Sequence, residues 1–157
     1  MQVNDYIHAI ESDKALQPEN RQEDFLQIMI GGEPVLITSA EVREVVRPLP
    51  LTAVPMGPNH LLGLANIRGQ IVCIIDLGKI SALPSVNRNV TPRSRFIVLR
   101  HARMNLGLWA DEVRSTQQIS QREITVTADS EQAPGPVFKI EYQGQPQYML
   151  NCTKLFH

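Results

Sequence analysis

The sequence predicts a mainly β protein made of two similar small barrels that pack against each other. Short apolar runs of strand length alternate with turn residues through most of the 157 residues. The same order of features also occurs twice along the chain. A unit of about 70 residues buries only a limited core by itself, so the two units are expected to share one.

The repeat consists of two alignments between the halves of the chain. Residues 25–43 align with 96–114 at an offset of 71, and residues 67–80 align with 142–155 at an offset of 75. Either alignment is weak alone, but the two fall in the same order at nearly the same offset. The matched residues include Phe25 with Phe96, Glu41–Arg43 with Glu112–Arg114, Gly69 with Gly144, and Asp76 with Asn151.

The first unit opens with a predicted hairpin. Residues 25–30 and 35–38 are apolar enough for strands, and the turn between them at 31–34 contains two glycines and a proline. Residues 39–46 give mixed signals, because a serine that could cap a helical turn precedes valines that could begin a strand. Four prolines in residues 47–58 exclude a regular helix and predict an extended connection.

A second predicted hairpin ends in the continuous apolar run 71–75. A run without alternation predicts a strand that is covered on both faces, and residues 66–69 supply the turn before it. Arg68 lies in this turn and Asp76 follows the strand. A charge beside so apolar a strand is expected to have a partner or a function. A short helix is predicted over residues 77–83.

The second unit follows a polar, arginine-rich connection at residues 85–95. Aromatic residues are not interleaved with these arginines, which favours a solvated loop over a nucleic-acid surface. The elements predicted after it are strands 95–100 and 104–109, a flexible loop at 125–136, a hairpin with strands 137–142 and 147–151, and a helical turn at 152–156.

Residues 1–24 form a predicted N-terminal extension that differs from the rest of the chain in charge. Six acids face two basic residues there, which gives a net charge of −4. Residues 3–10 carry apolar side chains at helical spacing and predict a short amphipathic helix, and residues 16–24 indicate a polar linker. A helix this short is marginal alone, so it would either dock on a surface or fray.

The chain contains no apolar run near the ~20 residues of a membrane span and no secretory signal pattern. A cytoplasmic location without direct membrane insertion is therefore expected. Cys73 and Cys152 lie in apolar surroundings and are expected to be reduced thiols in the core.

No motif typical of an active site is present. The sequence lacks a glycine-rich phosphate loop and a serine nucleophile elbow, and its four histidines lack metal-ligand spacing. We therefore expect no catalytic residues, no metal and no cofactor. An enzyme remains an alternative only if its site is assembled in space. A nucleic-acid-binding small barrel would need a stacking surface, which a single tryptophan disfavours.

Arg68 is the strongest candidate for a functional side chain. A guanidinium beside a buried hairpin needs a carboxylate, and its fork suits two parallel hydrogen bonds. Glu44, on the preceding element, is a candidate partner. An ordinary structural ion pair and a partner-binding role are both open, and they are not exclusive.

Three stretches of the chain resemble the CheW-like coupling proteins of bacterial chemotaxis. They are Val42-Arg43-Glu44-Val45, then Gly63-Leu64-Ala65-Asn66-Ile67-Arg68-Gly69, then Ile74-Ile75-Asp76-Leu77, and the spacing from Glu44 to Arg68 matches without gaps. The resemblance covers residues 25–157. It implies two packed five-stranded SH3-like β barrels with short helices, here at about 25–94 and 95–157.

The resemblance implies an adaptor rather than an enzyme. Such proteins join the regulatory domain of a CheA-type histidine kinase to the cytoplasmic tip of a chemoreceptor, in arrays at the inner face of the membrane. Kinase contact would be made through the C-terminal half. By position, the residues implied in partner binding are Val42, Glu44, Gly63, Asn66, Arg68 and Gly69, and those implied in the structural motif are Asp76 and Leu77.

The chain also departs from the family pattern. The family has a proline in the central strand where this chain has Cys73, so the strand is expected to run more regularly. The extension at 1–24 and the proline-rich residues 47–58 differ from common members. These departures leave open a branch that serves type IV pilus twitching motility.

Overall fold

A computed structural model of the chain describes residues 22–86, 89–127 and 135–155. The helix predicted at 3–10 and most of the linker lie outside these residues. The described part is mainly β, as predicted. Its strands, in chain order, are β1 (Gln22–Ile30), β2 (Glu33–Thr38), β3 (Val42–Val46), β4 (Leu61–Ile67), β5 (Gln70–Ile75), β6 (Arg95–Leu99), β7 (Leu106–Ala110), β8 (Glu112–Ser120), β9 (Ile124–Val126), β10 (Val137–Tyr142) and β11 (Gln145–Leu150).

Short helical turns join some of the strands. They are the 3-10 turns Ser39–Glu41, Leu77–Ile80 and Gln121–Glu123, and the single-turn helix α1 at Cys152–Leu155. Residues 39–46 thus satisfy both of their sequence signals, first as a turn and then as β3. The helix predicted at 77–83 is present only over Leu77–Ile80, and the helical turn predicted at 152–156 is present over the described residues Cys152–Leu155.

The strands form two sheets with matching topology. The six-stranded sheet has the order β8-β1-β2-β11-β10-β9, and the five-stranded sheet has the order β3-β6-β7-β5-β4. In each sheet one antiparallel hairpin, β1–β2 or β6–β7, lies between strands of the other repeat. In each sheet one junction is parallel, β2 with β11 and β5 with β7.

The sheets therefore do not coincide with the predicted subdomains at 25–94 and 95–157. The five-stranded sheet spans residues 42–110, and the six-stranded sheet collects its strands from both sides of that range. Each repeat is continuous in sequence, but its first hairpin pairs with strands of the other repeat. Local patterns cannot reveal this exchange, because it depends on pairing between distant strands.

The core is shared between the sheets, as the size of each unit predicted. One cluster combines side chains of the six-stranded sheet, such as Ile28 and Ile37, with Ile74, Phe96 and Ile97 of the five-stranded sheet. A smaller cluster lies within the six-stranded sheet. The residues of this smaller cluster are Phe25, Leu36, Ile119, Ile140 and Tyr142.

The prediction that both faces of the run 71–75 are covered is wrong at its start, because Ile71 is 54% exposed. Ile71 pairs with Asn66 beside the hairpin turn, and β7 pairs with β5 only from Cys73 onward. No neighbouring strand therefore flanks Ile71 on that side.

Cys73 is partly exposed, and its backbone N–H donates to the carbonyl of Asn105 at 3.0 Å, a bond that proline could not make.

Two strands in the second repeat were not predicted. β8 has nine residues, and seven of them are Ser, Thr, Gln, Glu or Arg, so its sequence lacks the alternation of apolar and polar residues that indicates a strand. β9 occupies part of the predicted loop at 125–136 and pairs with β10. This short strand gives one sheet six strands rather than the predicted five.

Cys152 is buried in α1, with 6% of its surface exposed. Burial, and secondarily the charge of Glu41, raises the pKa of its thiol to about 12. At pH 8 only about one thiol in ten thousand would then be a thiolate, the reactive form. We expect iodoacetamide to leave Cys152 unmodified in the native protein and to label the partly exposed Cys73. Mass spectrometry showing equal labelling of both cysteines without denaturant would contradict this prediction.

Candidate functional site

Arg68 and Gly69 form the two-residue turn between β4 and β5. Their φ angles are 53° and 84°, both in the left-handed region, as a type I′ hairpin turn requires. The side-chain Oδ1 of Asn66 accepts a hydrogen bond from the Gly69 N–H at 2.9 Å. The backbone conformation and the Asn66 hydrogen bond therefore fix the turn, so the Arg68 side chain projects from a defined backbone position.

Glu44 on β3 contacts Arg68 as the sequence predicted. Glu44 Oε1 lies 3.5 Å from Arg68 Nη1, and Glu44 Oε2 lies 3.6 Å from Arg43 Nε. β3 and β4 are opposite edges of the five-stranded sheet, so this contact shows that the sheet curls round to bring its edges together. Both residues of the pair belong to the five-stranded sheet or its β4–β5 turn.

The Glu44–Arg68 pair is a surface contact. The Arg68 side chain is 79% exposed, whereas that of Glu44 is 19% exposed. Glu44 Oε1 is itself buried and makes no hydrogen bond to the described residues, so its contact with Arg68 is ionic only. An ion pair this exposed contributes about 0–1 kcal/mol to folding.

A pocket of about 240 Å³ lies beside this pair. Its lining residues are Arg43, Glu44, Ile67, Arg68 and Gln70. All five come from the five-stranded sheet or its β4–β5 turn. The pocket therefore brings together two of the predicted partner-binding residues, Glu44 and Arg68.

Sequence reasoning missed Arg43 and Gln70 as lining residues. Neighbouring residues of a regular strand point to opposite faces, which would separate Arg43 from Glu44. The register of β3 against β6 shifts between Val42 and Glu44, so Arg43 is the extra residue of a bulge. Bulges redirect side chains, and here both charges reach one pocket. No local sequence pattern predicts this bulge.

Gly63 positions the backbone rather than a side chain. Its φ is 154°, and a Cβ at this position would lie 2.9 Å from both the Cβ of Leu51 and the carbonyl oxygen of Thr52. Next to it, Thr52 and Leu64 exchange two backbone hydrogen bonds of 2.8 Å. Gly63 thus allows the proline-rich connection to lie along β4. Val42, at the start of β3, packs against the core.

Asp76 and Leu77 lie away from the pocket, at the end of β5. Asp76 is fully buried, and its Oδ1 accepts from the N–H groups of Gly78 at 3.0 Å and Val86 at 3.2 Å. It therefore caps the 3-10 turn Leu77–Ile80 and fixes the loop that follows. Leu77 is also fully buried and belongs to the shared core. Their geometry is that of structural residues.

The described residues contain no group of three or more His, Cys, Asp or Glu side chains that could hold a metal ion. Within the same ranges, no helix is long and apolar enough to cross a membrane.

Known proteins resemble this chain over most of its length. A family model of the CheW-like domain matches residues 24–157. A chemotaxis protein CheW from Helicobacter pylori is 30% identical over 120 residues, which cover 73% of this chain and 72% of that protein. Protein FrzA of Myxococcus xanthus is 28% identical over 113 residues, which cover 71% of this chain and 69% of FrzA.

The fold agrees with a solved structure as well. The crystal structure of the scaffolding protein TtCheW from Thermoanaerobacter tengcongensis superposes with a TM-score of 0.70 at 21% identity, covering 83% of this chain and 84% of that one. This likeness supports the prediction of two SH3-like β subdomains. With the family match across residues 24–157, it leads to one conclusion: the chain belongs to the CheW-like family of chemotaxis coupling proteins.

Proposed function

We propose that this chain is a non-catalytic adaptor that joins the cytoplasmic tip of a chemoreceptor to the regulatory domain of a CheA-type histidine kinase. It would act in the cytoplasm, in arrays at the inner face of the membrane. The observation that carries the proposal is the exposed Arg68, fixed on a strained turn beside Glu44.

The fold itself gains little from an arginine at this position. A non-glycine residue in the left-handed region costs about 1 kcal/mol, and an exposed ion pair returns no more than that. Gln143 adopts the same conformation, with φ of 55°, in the equivalent turn between β10 and β11. The turn therefore does not need an arginine, which favours a role for Arg68 outside folding.

The residues around Arg68 would support binding in different ways. Asn66 and Gly69 would hold the turn, and Glu44 would orient the guanidinium. Gly63 would shape the backbone at the neighbouring edge. The surface that meets the kinase stays a prediction for the C-terminal half, whose strands are divided between both sheets.

A second candidate function is the same adaptor role in a motility system other than chemotaxis, including type IV pilus twitching. The similarity to FrzA, whose name differs from that of the CheW relatives, keeps this candidate open. The two candidates differ in the receptor and kinase that bind the chain. Affinity purification of the tagged chain from its own cells, followed by identification of the bound kinase, would distinguish them.

The test of the adaptor proposal compares Arg68→Asn with Gln143→Asn. Asparagine tolerates the left-handed conformation, so both variants should melt within a few degrees of the parent protein. We expect Arg68→Asn to weaken binding to a receptor cytoplasmic fragment by about tenfold or more, because a charged contact is removed. Gln143→Asn should bind like the parent protein.

Two results would contradict the proposal. One is a folded parent protein that binds neither the receptor fragment nor the kinase regulatory domain from the same cell at tens of micromolar, as titration calorimetry would report. The other is an equal affinity of the two asparagine variants for the receptor fragment.

A further inference from the structure

We propose that the pocket beside Glu44 receives an aspartate or glutamate side chain of the receptor, and that Arg43 is the residue that selects it. This inference rests on the proposed adaptor function and adds the chemistry of the contact. It concerns a side chain that neither the repeat nor the motif singled out as functional.

The charges around the pocket do not balance. Two guanidinium groups, Arg43 and Arg68, face one carboxylate, Glu44, and the other lining residues, Ile67 and Gln70, are uncharged. The lining therefore carries a formal charge of +1. A bound partner would exclude water from the pocket, and this would strengthen the attraction between the positive lining and an anion.

Both arginines have donors to spare. Each contacts Glu44 through a single nitrogen, Nε of Arg43 at 3.6 Å and Nη1 of Arg68 at 3.5 Å. A guanidinium carries five N–H donors in a planar fork, and its strongest contacts are paired hydrogen bonds to a carboxylate. An incoming carboxylate would thus find donors from two side chains.

A cationic or apolar side chain would fit the pocket less well. The buried oxygen of Glu44, Oε1, is already next to Arg68, so a partner's lysine would meet the excess positive charge instead of a free carboxylate. An apolar side chain would remove water from two guanidinium groups without replacing their hydrogen bonds. A volume of about 240 Å³ accommodates an acidic side chain.

The backbone positions from which the two arginines project are also fixed before binding. Arg68 projects from a turn that the Asn66 side chain closes, and Arg43 is the bulged residue of β3. Arg43 is only 29% exposed, so its side chain is confined against the sheet. Preorganised donors lose less freedom when a partner binds, which makes this pocket more selective than mobile surface arginines.

The experiment measures binding of a receptor cytoplasmic fragment to the parent protein, Arg43→Gln and Arg114→Gln. The second variant is a matched control, because Arg114 occupies the equivalent position of the other repeat and contacts Glu112 through Nε, also at 3.6 Å. Both variants remove one positive charge, so a general effect of net charge would be equal in the two.

We expect Arg43→Gln to weaken binding about tenfold and Arg114→Gln to leave it unchanged. The salt dependence of the affinity should be smaller for Arg43→Gln than for the parent protein. When the acidic residues at the receptor tip are changed one at a time to Gln or Asn, one of them should lose its effect in the Arg43→Gln background.

The possible failures are distinct. Equal affinities of the parent protein and Arg43→Gln would overturn the acidic-contact inference and leave the adaptor function standing. Equal losses in Arg43→Gln and Arg114→Gln would also overturn it, because only net charge would then matter. Failure of the folded parent protein to bind the fragment at all would overturn the adaptor function and this inference together.

Discussion

Gly31→Ala is expected to destabilise the fold by about 2–4 kcal/mol. Gly31 has a φ of 60°, and an added Cβ would lie 2.6 Å from the Cβ of Pro84 and 2.9 Å from the carbonyl oxygens of Pro84 and Ser85. These are backbone and ring atoms that cannot rotate away. The Gly31 N–H also donates to Asp111 Oδ2 at 2.8 Å, so the turn cannot move without losing this bond.

The neighbouring glycine provides the control. Gly32 has a φ of 87°, but an added Cβ would meet nothing within 4 Å. Gly32→Ala should therefore carry the conformational cost alone, about 1 kcal/mol. Urea unfolding followed by circular dichroism would measure both variants. Equal losses would mean that the close approach of the 81–86 loop to this hairpin contributes nothing.

Asp76→Ala is expected to cost about 2–4 kcal/mol, because two N–H donors would lose their acceptor in a fully buried place. Asp76→Asn keeps the Oδ1 acceptor and should retain most of the stability. The same unfolding experiment measures both. A loss below about 1 kcal/mol for Asp76→Ala would show that water replaces the carboxylate there.

The repeat again supplies a matched control. Asn151 is the equivalent of Asp76, and its Oδ1 accepts from the N–H groups of Thr153 at 3.1 Å and Lys154 at 3.4 Å. Both residues cap the helical turn that follows the last strand of their repeat. The bonds of Asn151 are exposed, so Asn151→Ala should cost only about 1 kcal/mol.

Features with strong local chemistry were predictable from the sequence. The hairpins β1–β2, β4–β5 and β10–β11 were predictable from the glycines at their turns, and each of these turns places two successive residues at positive φ. The Glu44–Arg68 contact followed from spacing and charge. β8 escaped prediction because its stability comes from pairing with β1 rather than from its own pattern.

The organisation of the sheets and one part of the site depend on long-range structure. β3 pairs with β6 and not with the strands that precede it, which no local window can show. The same pairing contains the bulge that turns Arg43 toward Glu44. The site was therefore predictable as a two-residue contact, but not as a pocket with two arginines.

The exchange of hairpins between the sheets determines how separate halves of the chain should fold. Each repeat alone would hold a hairpin without the strands that flank it, and three strands (first repeat) or four strands (second repeat) without the hairpin that lies between them. Such a half, if it were alone, could complete the strand pairing of its sheet only by exchanging hairpins with a second copy, as in a domain-swapped dimer. One polypeptide thus contains the strand arrangement that two such copies would form together. Fragments cut near residue 90, in the connection between β5 and β6, should therefore not fold as isolated monomers. Each should fold when it is mixed with the other fragment or when it pairs with a second copy of itself.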